Sequence, residues 1–244
     1  MATDAPIANS FAAWPPMRGL GSYYELTVTC RGEADPHSGY FLNIKHIDAA
    51  VRERALPLMA QAVTAGPPLA GLLSRIIQAI NPELSDSVAS VSLQLTPTYA
   101  LRMDTADMRQ LLISQQFDFS AAHRLHVPDL SDADNQRLFG KCNNPAGHGH
   151  NYRLEVTVRA GADNGDEAGA VERLEELVDR NVIRRLDHKH LNEDVPQFSE
   201  LNPSVENIAR VVWEMLQEPA ATAGLPLEQV RIWETEKTVC TYRG

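Results

Sequence analysis

The chain has 244 residues, 43% hydrophobic and 22% charged, enough for one large domain or two small ones with real cores. A net charge of −10 argues against a nucleic-acid partner, whose binders present a basic face, but leaves room for a small anionic substrate in a locally basic pocket. The three cysteines (Cys30, Cys142, Cys240) form no CxxC pair and leave an odd thiol, which fits a reducing, cytoplasmic setting better than a disulfide framework.

The first nineteen residues lack a basic run followed by an apolar one, so no signal peptide is expected. No run of about 18 apolar residues exists, so no membrane span is expected. Residues 19–35 (GLGSYYELTVTCRGEAD) align without a gap on residues 147–163 (GHGHNYRLEVTVRAGAD), and nine of the seventeen positions are identical. Such agreement reads as an internal duplication. His148 falls on Leu20, His150 on Ser22, and Cys142 on Trp14. The earlier copy keeps the strand, lacks the histidines, and starts too late to hold a counterpart of the strand that ends at His123. A second match sets residues 91–102 against 230–243 and puts Leu95 opposite Glu234. The expected organisation is a degenerate unit without a metal site over residues 1–110 and a complete unit over 111–244. Residues 103–114 (MDTADMRQLLIS) read as a connector or short helix between them.

Within the second unit, strands are expected at about 115–125 and 149–160, followed by the polar loop GADNGDEAG. Val171, Leu174, Leu177, Val178, Ile183 and Leu186 then recur at helical spacing. A second helix follows Asn202-Pro203, with Pro203 suited to the first helical position, and buries Ile208, Val211, Val212, Met215 and Leu216 along one face. Strands at about 229–235 and 238–243 close the chain. The order β-β-α-α-β-β predicts an α+β fold, an antiparallel sheet with helices on one face.

His148 and His150 are two apart in a strand pattern and share a face. His123 ends the alternation Phe117, Phe119, Ala121. If these strands pair, three imidazoles converge. Three nitrogens and one open position suit a catalytic zinc, whereas the bland alternative is three hydrogen-bonded histidines. Cys142 sits in a Lys-Cys-Asn-Asn-Pro loop, where Lys141 and a neighbouring cation would lower a thiol pKa and make it a nucleophile or base. Cys30 and Cys240 lie inside strands and read as core. Asp187 and His188 are either solvated groups at a helix end or a carboxylate orienting an imidazole, and spacing does not choose. His190 reads as a bystander. Glu234 shares a strand face with Val230 and Ile232, so it needs a partner: a salt bridge, or a ligand with adjacent N–H donors. Thr235 and Glu236 are weaker candidates. Ser204 and Glu206 open a helix, as caps or beside N–H groups that would receive an anion or ring carbonyl.

FSAAHRL, KCNNPAGHGHNY, LDHKHLN, NPSVENIA and IWETE, in this order, resemble the 6-pyruvoyl-tetrahydropterin synthase family, which includes relatives that make 6-carboxytetrahydropterin for queuosine. The resemblance covers residues 115–244. It implies zinc on His123, His148 and His150, Cys142 as catalytic base, Asp187 and His188 as a second proton-transfer pair, and Glu234 as pterin anchor. The implied substrate is 7,8-dihydroneopterin triphosphate, with Lys141, Arg124, Arg137 or Lys189 meeting its phosphates. It implies a tunnelling-fold unit whose sheets assemble edge to edge into a homo-oligomeric barrel; the degenerate first unit, which standard members lack, is a departure, so with the internal repeat two tandem tunnelling-fold units are expected. Five residues separate Cys142 from His148, which favours the pyruvoyl-forming over the carboxy-forming enzymes; a non-catalytic pterin- or zinc-binding module is the reading from another class.

Overall fold

The computed structural model describes residues 24–162 and 165–244; the expectations that fall on Trp14, Leu20 and Ser22 lie outside the described residues. One antiparallel sheet runs through the molecule. Its order is β1 (Glu25–Cys30), β2 (Val88–Thr96), β3 (Tyr99–Asp104), β4 (Gln110–His123), β5 (His148–Gly161), β7 (Leu227–Thr235) and β8 (Thr238–Tyr242). The two-residue β6 (Lys189–His190) pairs in parallel with the end of β4.

Between β1 and β2 lie α1 (Ile44–Ala50), which passes through a π turn into α2 (Leu56–Ala65), and α3 (Leu69–Ile80). The C-terminal half adds α4 (Asp132–Phe139), α5 (Glu167–Val178), α6 (Arg184–Leu186), α7 (Leu191–Asp194) and α8 (Val205–Thr222). Helix α8 starts one residue beyond Ser204, whose side chain caps Asn207, so Pro203 lies just outside the helix rather than at its first position. Among the described residues no helix is long and apolar enough to cross a membrane.

Alternation decides which face is buried. On β5, Tyr152, Leu154, Val156 and Val158 are fully buried, while Arg153 and Arg159 point to the opposite, polar face. That polar face is laced by Ser114 to Thr157 and by Gln116 donating to Glu155. Helix α8 contributes Ile208, Val211, Val212 and Leu216 to the core, and α3 contributes Leu73, Ile76, Ile77 and Ile80. One hydrophobic cluster spans both halves. At the seam, Glu167 of α5 accepts from Ala70 N, satisfying a free N–H at the start of α3. Burial, and then the charge of Glu167, push the Tyr99 phenol up to about 12.

The expected connector over 103–114 is strand instead. Met103 and Asp104 end β3, and Leu111 and Ile113 belong to β4, both fully buried. The turn between the strands covers only residues 105–109. Strand β3 pairs directly with β4, from Tyr99 against Gln115 to Arg102 against Leu112.

The ladders of the two halves coincide pair for pair. Leu26 faces Leu93 as Leu154 faces Ile232, and Val28 faces Val91 as Val156 faces Val230. The register shifts after Thr29 in one and after Thr157 in the other, positions 128 residues apart. The hairpins shift alike, between Gln94 and Thr96 and between Trp233 and Thr235.

Leu154 is fully buried in a strand paired on both sides. Leu154→Ala is expected to cost about 2–5 kcal/mol, read as a lower urea midpoint at unchanged slope.

Candidate metal centre

Strands β4 and β5 pair over fourteen residues, and the last pair sets His123 directly opposite His148, with Ala121 opposite His150. All three imidazoles therefore reach one spot on the helix-covered face. One ligand nitrogen from each lies within 4.8 Å of the others, and His123 Nε2 stands 3.1 Å from His148 Nε2. His123 is fully buried, and its Nδ1 is 2.7 Å from the Pro203 carbonyl. A carbonyl only accepts, so Nδ1 carries the proton and Nε2 is left with a lone pair facing inward. Burial is the main reason the His123 pKa falls to about 4, with the neighbouring imidazoles adding to it.

His148 Nδ1 and His150 Nε2 are buried without a hydrogen-bond partner among the described residues. Three imidazole nitrogens gathered at one spot, with unpartnered nitrogens on His148 and His150, fit a divalent cation. Phe119 and Tyr152 stack at 5.0 Å beside the cluster, and the Tyr152 hydroxyl is 3.4 Å from His123 Nδ1. Burial, then the charges of Glu234 and Cys142, raise the Tyr152 phenol above its ordinary range.

Glu234 joins the cluster from β7. Its Oε1 lies 3.4 Å from His123 Nε2 and 3.8 Å from His150 Nε2. Cys142 occupies a 3-10 turn, Gly140–Asn143, held to the residues just after β4 through Cys142 and Asn143. Leu125 N donates to the Cys142 carbonyl at 2.9 Å. Arg124 Nε donates to the Asn143 carbonyl at 3.2 Å, and its Nη2 donates to Asn143 Oδ1 at 3.3 Å. Arg124, offered by the sequence as a phosphate contact, thus has its guanidinium on the cysteine turn.

Asp187 and His188 form a pair. Asp187 Oδ1 accepts from Ser120 N, and Oδ2 is 2.8 Å from His188 Nδ1. The Ser120 N–H, then His188, hold the Asp187 carboxyl below its usual range. His188 adopts φ 56°, which few non-glycine residues do, and its side chain is 83% exposed. It lines an open depression together with His150 and Asn151. Among the described residues no hydrogen bond joins the pair to Cys142.

Ser204 caps α8, and Glu206 is exposed in its first turn, near Cys240. The Thr235 hydroxyl accepts from Lys237 N and Thr238 N, so it is engaged in the β7–β8 turn. Arg137 pairs with Asp134, and Lys141 and Lys189 are exposed. Sequence reasoning missed Tyr152, Asn143 and the Pro203 carbonyl, and set aside His190, whose ring lies beside Gly147. A Cβ on Gly147, at φ 71°, would lie 2.6 Å from His190 Nε2 and 3.0 Å from the His123 carbonyl.

A model of the family described as 6-pyruvoyl tetrahydropterin synthase matches residues 112–244, which hold every residue of this centre. The chain belongs to that family. It is 44% identical over 135 residues to a 6-pyruvoyl tetrahydrobiopterin synthase of Poecilia reticulata, covering 54% of this chain and 89% of the relative. It is 27% identical over 157 residues to a 6-carboxy-5,6,7,8-tetrahydropterin synthase of Haemophilus influenzae, covering 54% and 97%. Among solved structures, a Caenorhabditis elegans 6-pyruvoyl tetrahydropterin synthase is 36% identical at a TM-score of 0.48, covering 55% of this chain and 96% of that one.

Gly147→Ala is expected to displace His190 and the His123 backbone and to lower bound metal per chain, measured by elemental analysis after dialysis. A carboxylate held below its unfolded value contributes stability above that value and loses it as pH falls through the folded one. The stability gap between the parent and Asp187→Asn should therefore be full near neutrality and close below about pH 4, the ordinary Asp range, in urea melts at stepped pH.

Proposed function

We propose that the protein is a zinc-dependent lyase that acts on 7,8-dihydroneopterin triphosphate and eliminates triphosphate to give 6-pyruvoyl-tetrahydropterin. The observation that carries this reading is the convergence of His123, His148 and His150 within the segment that matches the family. Bound zinc would supply Lewis acidity to oxygens of the substrate side chain, making the adjacent C–H protons easier to remove.

The chain's own groups divide the remaining work. Cys142, as thiolate, takes one proton. The Asp187 carboxylate fixes the Nδ1–H tautomer of His188, which leaves Nε2 to exchange a second proton. The Glu234 carboxylate accepts from the N–H edge of the pterin and fixes the ring against these groups. Ser204, Glu206 and Thr235 belong to this reading as ring-side contacts, and Lys141 and Lys189 as exposed cations available to the phosphates, with Arg137 reaching them only by leaving Asp134.

The same proposal covers organisation. Residues 1–110 are read as a degenerate tunnelling-fold unit without a metal site, and residues 111–244 as the catalytic unit. The matching ladder registers of the two halves support the duplication. Edge strands β1 and β8 each have a side unpaired among the described residues, which supports closure with further copies into a homo-oligomeric barrel. Three free cysteines support a cytoplasmic setting.

A second reading is the 6-carboxytetrahydropterin synthase of queuosine biosynthesis, with the same substrate and acetaldehyde as co-product. The higher identity to the pyruvoyl-forming relative favours the first. The zinc-loaded protein should release triphosphate and 6-pyruvoyl-tetrahydropterin, identified by mass, and Cys142→Ala should lower kcat by about 100-fold or more. Acetaldehyde with 6-carboxytetrahydropterin would establish the second reading. Zinc binding without Cys142-dependent turnover would leave a pterin-binding module.

A further inference from the structure

The positive φ of His188 is a conformation that persists only where the surroundings hold it. The hold is a run of contacts along β4 in one register. Ser120 N donates to Asp187 Oδ1, and His188 N donates to the Ser120 carbonyl at 2.6 Å. Ala121 and Ala122 then pair with Lys189 and His190 of β6. The same register would next set His123 against Leu191 and Arg124 against Asn192, but α7 starts at Leu191 and the backbone leaves the ladder. The Asn192 side chain closes the gap. Its Oδ1 accepts from Arg124 N at 2.8 Å, and its Nδ2 donates to the Arg124 carbonyl at 3.1 Å. A carboxamide carries the acceptor and donor of a peptide group, so it stands in for the missing backbone pair. Beyond this clamp, the Arg124 guanidinium donates to the carbonyl and Oδ1 of Asn143, and Leu125 N donates to the Cys142 carbonyl.

We infer that Asn192 is a positioning residue for both proton-transfer groups, holding His188 on one side and the turn of Cys142 on the other through the backbone of Arg124. This rests on the lyase reading of the proposed function and deepens it. Among the described residues Asn192 makes no hydrogen bond to either group. It ends the segment that carries His188, and it fixes the peptide from which the Arg124 guanidinium and the Leu125 N–H reach the cysteine turn. Loosening this clamp lets His188 relax towards negative φ and lets the cysteine turn drift, so one change misplaces two groups. The β4–β5 pairing that gathers the histidines does not pass through Asn192 and stays in register.

The experiment compares the full zinc-loaded chain as wild type, Asn192→Ala, Asn192→Asp, Arg124→Lys and the Asn192→Ala/Arg124→Lys double variant. Folding is checked by circular dichroism and zinc by elemental analysis. Asn192→Asp, which keeps the acceptor and loses the donor, carries the test if Asn192→Ala does not fold. Turnover of 7,8-dihydroneopterin triphosphate gives kcat and KM, and iodoacetamide labelling read by mass gives the reactivity of Cys142 against Cys30 and Cys240. The Asn192 variants should keep their zinc and their KM while kcat falls by about tenfold or more. Cys142 labelling should change by about twofold or more, although Asn192 does not bond the cysteine turn. The double variant should lose less than the product of the single losses, because both changes act on one link. Wild-type kcat in the Asn192 variants would overturn the inference while leaving the lyase reading intact. A lower kcat with unchanged Cys142 labelling would overturn the shared hold, and loss of zinc in step with kcat would reduce Asn192 to a structural residue. Absence of turnover in the wild type would overturn the lyase reading and this inference together.

Discussion

The centre depends on the register of a single ladder. Strands β4 and β5 pair without interruption from Gln110 against Gly161 to His123 against His148. A slip of one residue would turn His148 and His150 to the polar face and leave His123 alone in the core. What fixes the register is the apolar set on one side, Ile113, Phe119, Tyr152, Leu154, Val156 and Val158, each at most 3% exposed. The cost of exposing that set holds the imidazoles in place. The end of the same strand anchors the rest: Ser120 holds Asp187, His123 meets the carbonyl before α8, and Arg124 with Leu125 grips the turn of Cys142.

Much of this was legible in the sequence because it is written in period two. The alternations Phe117-Phe119-Ala121-His123 and His148-His150-Tyr152-Leu154 carry the strands and their shared face, and the helical spacing from Val171 to Leu186 carries the α5–α6 run. The start of β4 was not legible. Leu111, Leu112 and Ile113 are consecutive apolar residues, and Leu112 packs on the second face at 6% exposure, so alternation fails where the strand begins. Helix α4 also left no period to read: its one buried residue, Asn135, works by bridging the N–H and carbonyl of Val127. Contacts between distant segments, such as His190 against Gly147 or Arg124 against Asn143, have no local signature at all.

The two halves show how little of a site belongs to its scaffold. The β1–β2 and β5–β7 ladders agree in register and in irregularity, yet β2 carries Leu95 where β7 carries Glu234. Leu95 lines a small apolar hollow with Tyr24, Met59, Leu72 and Leu93. At matching ladder positions, Glu234 borders imidazoles and Leu95 borders hydrocarbon, so the chemistry rests on side chains rather than on the ladder.

The seven strands of the main path alternate in direction, so the two outermost, β1 and β8, run the same way. This is a statement of parity, and parity constrains symmetry. Two copies related by rotation about an axis along the strands would bring β8 of one against β1 of the other in parallel, a break in an otherwise antiparallel ladder. A two-fold axis across the strands would instead set β1 against β1 and β8 against β8, each pair antiparallel and self-complementary. Among the described strands, an odd count favours joining like edge to like edge.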